Sequence, residues 1–472
     1  MVAVLREISN LPGAIQVAEQ YHDSPEVLLQ LALCYLDQET KGLAPASQRG
    51  LDVSRKLVAS RPNQPIFQVM RAKMSQKMNL DEEALNALEE AIEMWPDEAE
   101  WHVWASKLAN KLNQGDRVVD HWEKALALVP QRKSYAVPAG KAFLAYHQEQ
   151  KAIQILEEVL DETSINSEIC YLLGSAYYQT GQLKQALVYS ERAVALDPFS
   201  VNAALLSGEI SLAMGHDDDA LAWGQKAVSI DDRHSDSILF LAFIFEKRNK
   251  LQEALQIVQK ALQKNVINQE MLLERARLVY QVNGAAAALP LLKELDTVYP
   301  EQVPVLKLLA RVEKEGGDLV QSEKIAFQAL RLDPDQPELN LLMGKLQRLS
   351  GQLDQAIHFL SLAIVQAPGL ADAYLELGQV YLDRRETPQA LQTYQKGMKA
   401  VPHDFRMVYQ AGLILREGKD YQRAETMLRM AAELAPDDLN IRRQLGAVIT
   451  LNLIHSSQEA SSSNETQRAQ RK

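Results

Sequence analysis

Aromatic side chains make up only 6% of this 472-residue chain, and cysteine occurs twice. Cys34 and Cys170 form no CxxC pair and supply no disulfide framework, which predicts a reducing compartment. Basic residues are outnumbered, 50 against 62, for a formal charge of −12; that balance argues against nucleic acid or an anionic membrane as the main partner. Glycine and proline are sparse, 21 and 18, which rules out collagen and low-complexity fibres. There is no apolar run of about 18 residues, and the start MVAVLREISN lacks the basic region, apolar stretch and cleavage site of a secretory signal. Together these absences predict a cytoplasmic protein with no membrane insertion. What is present, 47% apolar and 24% charged residues, suits two or three ordinary domains or one elongated array.

Self-comparison at an offset of 34 residues decides between those two. From Pro65 to Asp438 small residues fall into columns without an insertion, giving eleven units. Position 8 reads Ala72, Ser106, Gly140, Gly174, Gly208, Ala242, Ala276, Ala310, Gly344, Gly378 and Gly412. Position 20 is Ala in nine units of eleven, against 57 Ala in the 472 residues overall, and position 27 is Ala in eight. Position 32 is Pro in eight. Small residues at positions 8, 20 and 27 let two antiparallel helices approach to roughly 8–10 Å, with Tyr177, Phe245 and Tyr381 at position 11 filling the gaps. Gly181, Gly215 and Gly351 at position 15 supply the turn between helices, and Pro at position 32 ends the second helix. One such hairpin cannot bury its apolar face alone, so neighbours must stack.

The segment Ser167–Ser200, SEICYLLGSAYYQTGQLKQALVYSERAVALDPFS, resembles a tetratricopeptide repeat, with Leu173, Gly174, Tyr177, Ala186, Ala193 and Pro198 at the family's signature positions. The family's aromatic at position 4 is often missing, as at Cys170, Ala204 and Ile238. The resemblance implies an all-α, right-handed solenoid of stacked helix-turn-helix repeats. Residues 1–24 are expected to form N-terminal capping helices, broken at Leu11-Pro12-Gly13. Residues 25–64 read as a divergent unit whose extra length is the loop Gln38–Arg49. Residues 65–438 are the eleven units, 439–455 a C-terminal capping helix, and the Ser-rich 456–472 a disordered tail. Pro138 and Pro290 fall inside helices; Pro290 in particular predicts a kinked or delayed second helix.

No catalytic constellation assembles. There is no GxxxxGK[ST], GxSxG or HExxH, and no two histidines stand three or four residues apart, so the nine histidines read as surface decoration. The acidic run Asp217-Asp218-Asp219 opens a second helix, where negative charge complements the dipole. Both cysteines read as small core residues. No catalytic residue, metal site or cofactor is expected, and the chain reads as non-enzymatic.

The resemblance places positions 2, 5, 9 and 12 of each first helix on a concave groove. Position 9 carries Lys73, Lys107, Lys141, Arg277, Arg311 and Lys345, joined at position 12 by Lys314 and Arg348. Two basic patches thus flank an apolar stretch of Tyr171, Tyr178, Leu205, Leu212, Leu239 and Phe243. A protein or peptide partner with acidic segments and an apolar middle matches this pattern; so does a solvated polar column tied up in internal salt bridges. Acids recurring at position 2, such as Glu168 and Glu338, sit where the helix dipole favours them. No unit pairs Lys at position 5 with Asn at position 9, the clamp by which some family members hold chaperone C-termini. The expected role is a scaffold binding an extended or helical partner segment in its groove and mediating complex assembly. The other reading is a regulatory or substrate-recruiting subunit of a separate enzyme, such as a glycosyltransferase or a secretion or cell-envelope assembly machine. Exposed apolar residues on the last helix, Val448, Ile449 and Leu453, add a possible homodimer contact.

Overall fold

A computed structural model describes residues 2–7, 10–20, 24–40, 48–129, 133–160 and 166–470. These residues form 27 helices and no strand. Two compact units divide the chain, Met1–Ile244 and Phe245–Lys472. The first contains α1 (Val2–Glu7), α2 (Leu11–Gln20), α3 (Pro25–Thr40) and α4 (Gln48–Ser60). Five hairpins follow: α5 (Pro65–Lys77) with α6 (Asp81–Met94), α7 (Ala99–Lys111) with α8 (Gly115–Leu128), α9 (Lys133–Ala145) with α10 (Glu149–Glu158), α11 (Ser167–Gln179) with α12 (Leu183–Leu196), and α13 (Val201–Ala213) with α14 (Asp217–Ile230). The boundary falls near the end of α15 (Ser235–Lys247). The second unit holds α16 (Leu251–Gln263), then α17 (Gln269–Asn283) with α18 (Ala285–Val298), α19 (Val303–Glu315) with α20 (Leu319–Leu332), α21 (Pro337–Leu349) with α22 (Leu353–Gln366), α23 (Ala371–Asp383) with α24 (Thr387–Ala400), α25 (Phe405–Glu417) with α26 (Tyr421–Leu434), and α27 (Leu439–Gln470).

The backbone sets the turn between paired helices. Position 15 is left-handed in ten units: at Gly181, Gly215, Gly317 and Gly351, and also at Asn79, Asn113, His147, Asn249, Arg385 and Lys419, with φ between 55° and 90°. In the unit starting at Gln269 the left-handed residue is Gly284, one position later, and α17 is accordingly 15 residues long where its counterparts have 13. Close approach explains the small column at position 8. A Cβ added to Gly344 would lie 2.4 Å from Leu360 Cγ, one on Gly378 2.2 Å from Tyr394 Cε1, and one on Gly412 2.8 Å from Leu428 Cγ. Each of those neighbours occupies position 24 of the second helix, so positions 8 and 24 interlock. Ala84, Ala91, Ala356 and Ala363, at positions 20 and 27, are completely buried.

First helices of successive hairpins touch, α9 with α11 and α11 with α13 in one unit, α21 with α23 and α23 with α25 in the other. No pair of successive second helices makes comparable contact among the described residues. The first helices therefore form the inner layer of each unit.

Several expectations need correction. Leu11-Pro12-Gly13 is the first turn of α2 and not a break: the Asn10 side chain accepts a hydrogen bond from the Gly13 N–H at 3.2 Å, and proline is tolerated there because its missing N–H has no helical partner to lose. The expected loop Gln38–Arg49 is helical at both ends, while residues 41–47 lie outside the described residues. Pro290 does not delay α18, which starts at position 17 like its counterparts and runs on to Val298; as the sixth residue of the helix, Pro290 costs one backbone bond. The tail is not disordered through its length, since α27 continues to Gln470. At position 15 this last unit has Leu453, which disfavours a left-handed turn, and no Gly or Pro follows to end the helix. Val448 is buried against Leu415, Ala424 and Leu428, leaving Leu453 exposed.

Candidate binding groove

The position-9 cations differ sharply along the chain. Lys73 and Lys107 are exposed and have no ion-pair partner among the described residues. Lys141 places its ammonium 2.5 Å from Glu168, at position 2 of the next hairpin. In the second unit the column is largely neutralised. The Arg277 guanidinium lies between Glu246 at 2.5 Å and Glu274 at 2.7 Å, and its hydrogen bonds hold the Glu246 carboxyl below the usual range. Lys345 lies 3.7 Å from Glu376, and Arg348 is 3.2 Å from both Glu376 and Asp383. Burial pushes the Lys314 ammonium down, and the Lys345 charge adds to that. Arg311 is exposed, without an ion pair among the described residues. Lys307 bridges to Glu338 at 2.7 Å. The position-2 acids are thus more than helix-dipole partners: Glu168 and Glu338 tie one hairpin to its neighbour.

In the first unit, Tyr171, Tyr178 and Leu239 are half-buried, Leu205 is buried and Phe243 is 49% exposed. Burial pushes the Tyr171 and Tyr178 phenols up, and the charge of Glu209 adds to both shifts. Glu209 is the one acid in column 9, and burial reinforced by Asp236 pushes its carboxyl up as well. Its position in a column dominated by cations was the signal available in the sequence.

Two histidines are not surface decoration. His102 and His121 are 2% and 4% exposed and face each other, Nδ1 to Nδ1, at 3.2 Å. His102 Nε2 meets the Pro96 carbonyl at 3.1 Å and His121 Nε2 meets Glu89 at 3.1 Å, with Arg117 paired to the same carboxylate. Carbonyl and carboxylate oxygens only accept, so the chain of bonds is complete when the two rings share three protons. The pair occupies positions 4 and 23 of one unit, too far apart in sequence for helical spacing to reveal it. Burial pushes the Cys34 and Cys170 thiols up, consistent with core roles. Among the described residues no group of three or more His, Cys, Asp or Glu could hold a metal ion. No helix among them is long and apolar enough to cross a membrane.

Stacked two-helix units with an inner layer of first helices define an all-α solenoid of the helical-repeat class. Residues 143–206 and 375–438 each match a tetratricopeptide repeat model. The chain thus carries tetratricopeptide repeats, an architecture that serves as a scaffold for protein interactions. Similar solved structures include a chain of the APC/C hetero-tetramer Cut9–Hcn1, 13% identical with a TM-score of 0.45 over 95% of each chain. Yeast Tom70 is 13% identical with a TM-score of 0.43, over 93% of this chain and 97% of that one. A tetratricopeptide repeat protein from Parabacteroides merdae is 17% identical with a TM-score of 0.43, over 53% of this chain and 99% of that one.

Proposed function

We propose that the inner layer of the first unit is a groove that binds an extended or helical segment of a partner protein, with an acidic stretch set against Lys73, Lys107 and Lys141. The apolar part of that segment lies on Tyr171, Tyr178, Leu205, Leu239 and Phe243, so that burial supplies affinity and charge steers encounter. The observation carrying this reading is that Lys73 and Lys107 are exposed with no ion-pair partner among the described residues, whereas Arg277, Lys345 and Arg348 are already paired within the array. Arg277, Lys345 and Arg348 are correspondingly assigned a smaller part, since a ligand there competes with resident carboxylates, and Arg311 and Lys314, set among them, go with that patch.

The test is affinity capture from host lysate with the wild-type chain beside a Lys73→Glu, Lys107→Glu, Lys141→Glu variant, read by mass spectrometry. Retention of a discrete protein by the first and its loss from the second is the expected result. Equal retention by both would show that the basic column is decoration. Expected binding weakens as salt is raised, because exposed charges about 10 Å apart are screened near 0.1 M.

A further inference from the structure

Helix α27 occupies the place of a first helix in a twelfth unit, with Leu439 at position 1. Its position-3 and position-10 residues, Ile441 and Val448, are buried, against Val408 and Ala431 and against Leu415 and Leu428 respectively. The other side is open. In earlier units position 4 is buried, as at His102, Cys170, Ile238, Asn340 and Val408, and position 8 interlocks with position 24 of the second helix. In α27 these positions are Arg442 and Gly446, both exposed; a Cβ on Gly446 would meet nothing within 4 Å, and Leu453 is 66% exposed. Described residues 454–470 do not close this hairpin: positions 20, 24 and 27 of the twelfth unit are Gln458, Ser462 and Glu465, and they continue α27 without turning back.

We propose that this open seam receives an antiparallel amphipathic helix from a partner chain, in the manner of a missing second helix. The hairpins in which a large position-24 side chain seats over a position-8 glycine, those of Gly140, Gly344, Gly378 and Gly412, state its chemistry. It presents a small residue, a Leu or Tyr four residues on to seat over Gly446, and a small residue three beyond that, as Ala84, Leu88 and Ala91 do in α6. It also carries an acid two residues after the large one, to face Arg442, as Glu90 receives the Gln68 side-chain amide at 2.5 Å. The occupant is acidic because the seam offers Arg442 and Arg443 and no carboxylate at positions 4, 8, 11 or 15.

The chain's own α6 sequence, DEEALNALEEAIEM, is the probe, as a labelled peptide capped at both ends and titrated against the full chain by fluorescence anisotropy. Saturable binding below about 1 mM is expected, weakened about tenfold or more by Gly446→Leu, which fills the seam, and retained by Gly446→Ala. Arg442→Glu is expected to weaken it several-fold, and a scrambled peptide of the same composition not to bind. Far-UV circular dichroism verifies that Gly446→Leu remains folded, as expected for a substitution into open space. Absence of saturable binding, or equal binding by Gly446→Leu, overturns the proposal. Binding lost in the Lys73, Lys107, Lys141 triple variant yet kept by Gly446→Leu locates the peptide in the groove proposed above and also overturns the seam. A dimer in light scattering that Gly446→Leu abolishes overturns the assignment to a partner chain, because a second copy then occupies the site.

Discussion

Replacing glycine by alanine at the same repeat position is expected to have opposite consequences at Gly344 and Gly446. Both stand at position 8 of a first helix, so both gain the same intrinsic term, about 1 kcal/mol from helix propensity. At Gly344 the new methyl carbon would lie 2.4 Å from Leu360 Cγ and 2.7 Å from Leu360 Cδ2. Carbon atoms prefer separations of roughly 3.5–4.0 Å, so about 1 Å or more must be found between α21 and α22. Leu360 is completely buried, and its Cγ lies too near the backbone to swing away. Overpacking of this kind costs typically about 1–3 kcal/mol, which cancels or exceeds the propensity gain. At Gly446 no atom opposes the methyl group, and the full gain of about 1 kcal/mol remains. Because stability in a stacked array is set by nearest neighbours and a global midpoint averages it away, the assay is native-state hydrogen exchange resolved by peptide. Exchange in α27 should slow by about fivefold in Gly446→Ala, while exchange in α21 and α22 should be unchanged or faster in Gly344→Ala. If both variants slow exchange locally by similar factors, the interlocking of positions 8 and 24 is wrong.

Three further outcomes follow from the geometry. Arg385→Gly and Lys419→Gly, each relieving a left-handed backbone at an exposed turn, should raise stability; the strain of about 1–2 kcal/mol is partly offset by the freer unfolded chain, leaving roughly 0.5–1 kcal/mol in urea denaturation. Glu89 is pushed up by burial but more strongly down by hydrogen bonds from Arg117 and His121, so its folded carboxyl titrates below its unfolded one. Its contribution is therefore present above the ordinary glutamate range and lost as pH falls through the folded value, and the stability gap between wild type and Glu89→Gln should shrink on acidification below about pH 4.5. Cys34 and Cys170, both fully buried, should react with an aromatic disulfide reagent at the rate of local opening and promptly in strong urea; immediate labelling of the native chain would contradict their placement.

The repeat columns made the helix hairpins legible because each records one contact: a small residue wherever two helices cross closely. The same columns could not reveal which polar residues meet across hairpins. Lys141 and Glu168 stand 27 residues apart, and their pairing depends on the stacking that brings position 9 of one first helix beside position 2 of the next. His102 and His121 were hidden for a related reason, since antiparallel packing inside a hairpin joins positions 4 and 23, a separation with no helical period. Turns were only partly visible. Glycine marks four of them, yet Asn79, His147 and Arg385 adopt the same left-handed backbone because the flanking helices fix where the chain must reverse. At Leu11-Pro12-Gly13 a local rule misled: proline breaks a helix interior but opens a first turn readily, and only the Asn10 cap decides between them. The end of α27 was missed because a serine-rich composition suggested disorder, while the absence of any residue suited to a reversal at Leu453 leaves the helix nothing to stop it.

The constant 34-residue spacing also makes the second unit behave as a set of interchangeable courses, like bricks cut to one gauge. Excising Pro337–Leu370 would join Gln336 directly to Ala371 and bring α20 against α23, with every small and large column still facing its complement. Removing a single residue from inside a helix would instead rotate the rest of that helix by about 100°, the angle of one helical residue, and set large side chains against large ones. Within the helices of this unit, length is thus counted in whole hairpins, and smaller changes are left to the connections between them.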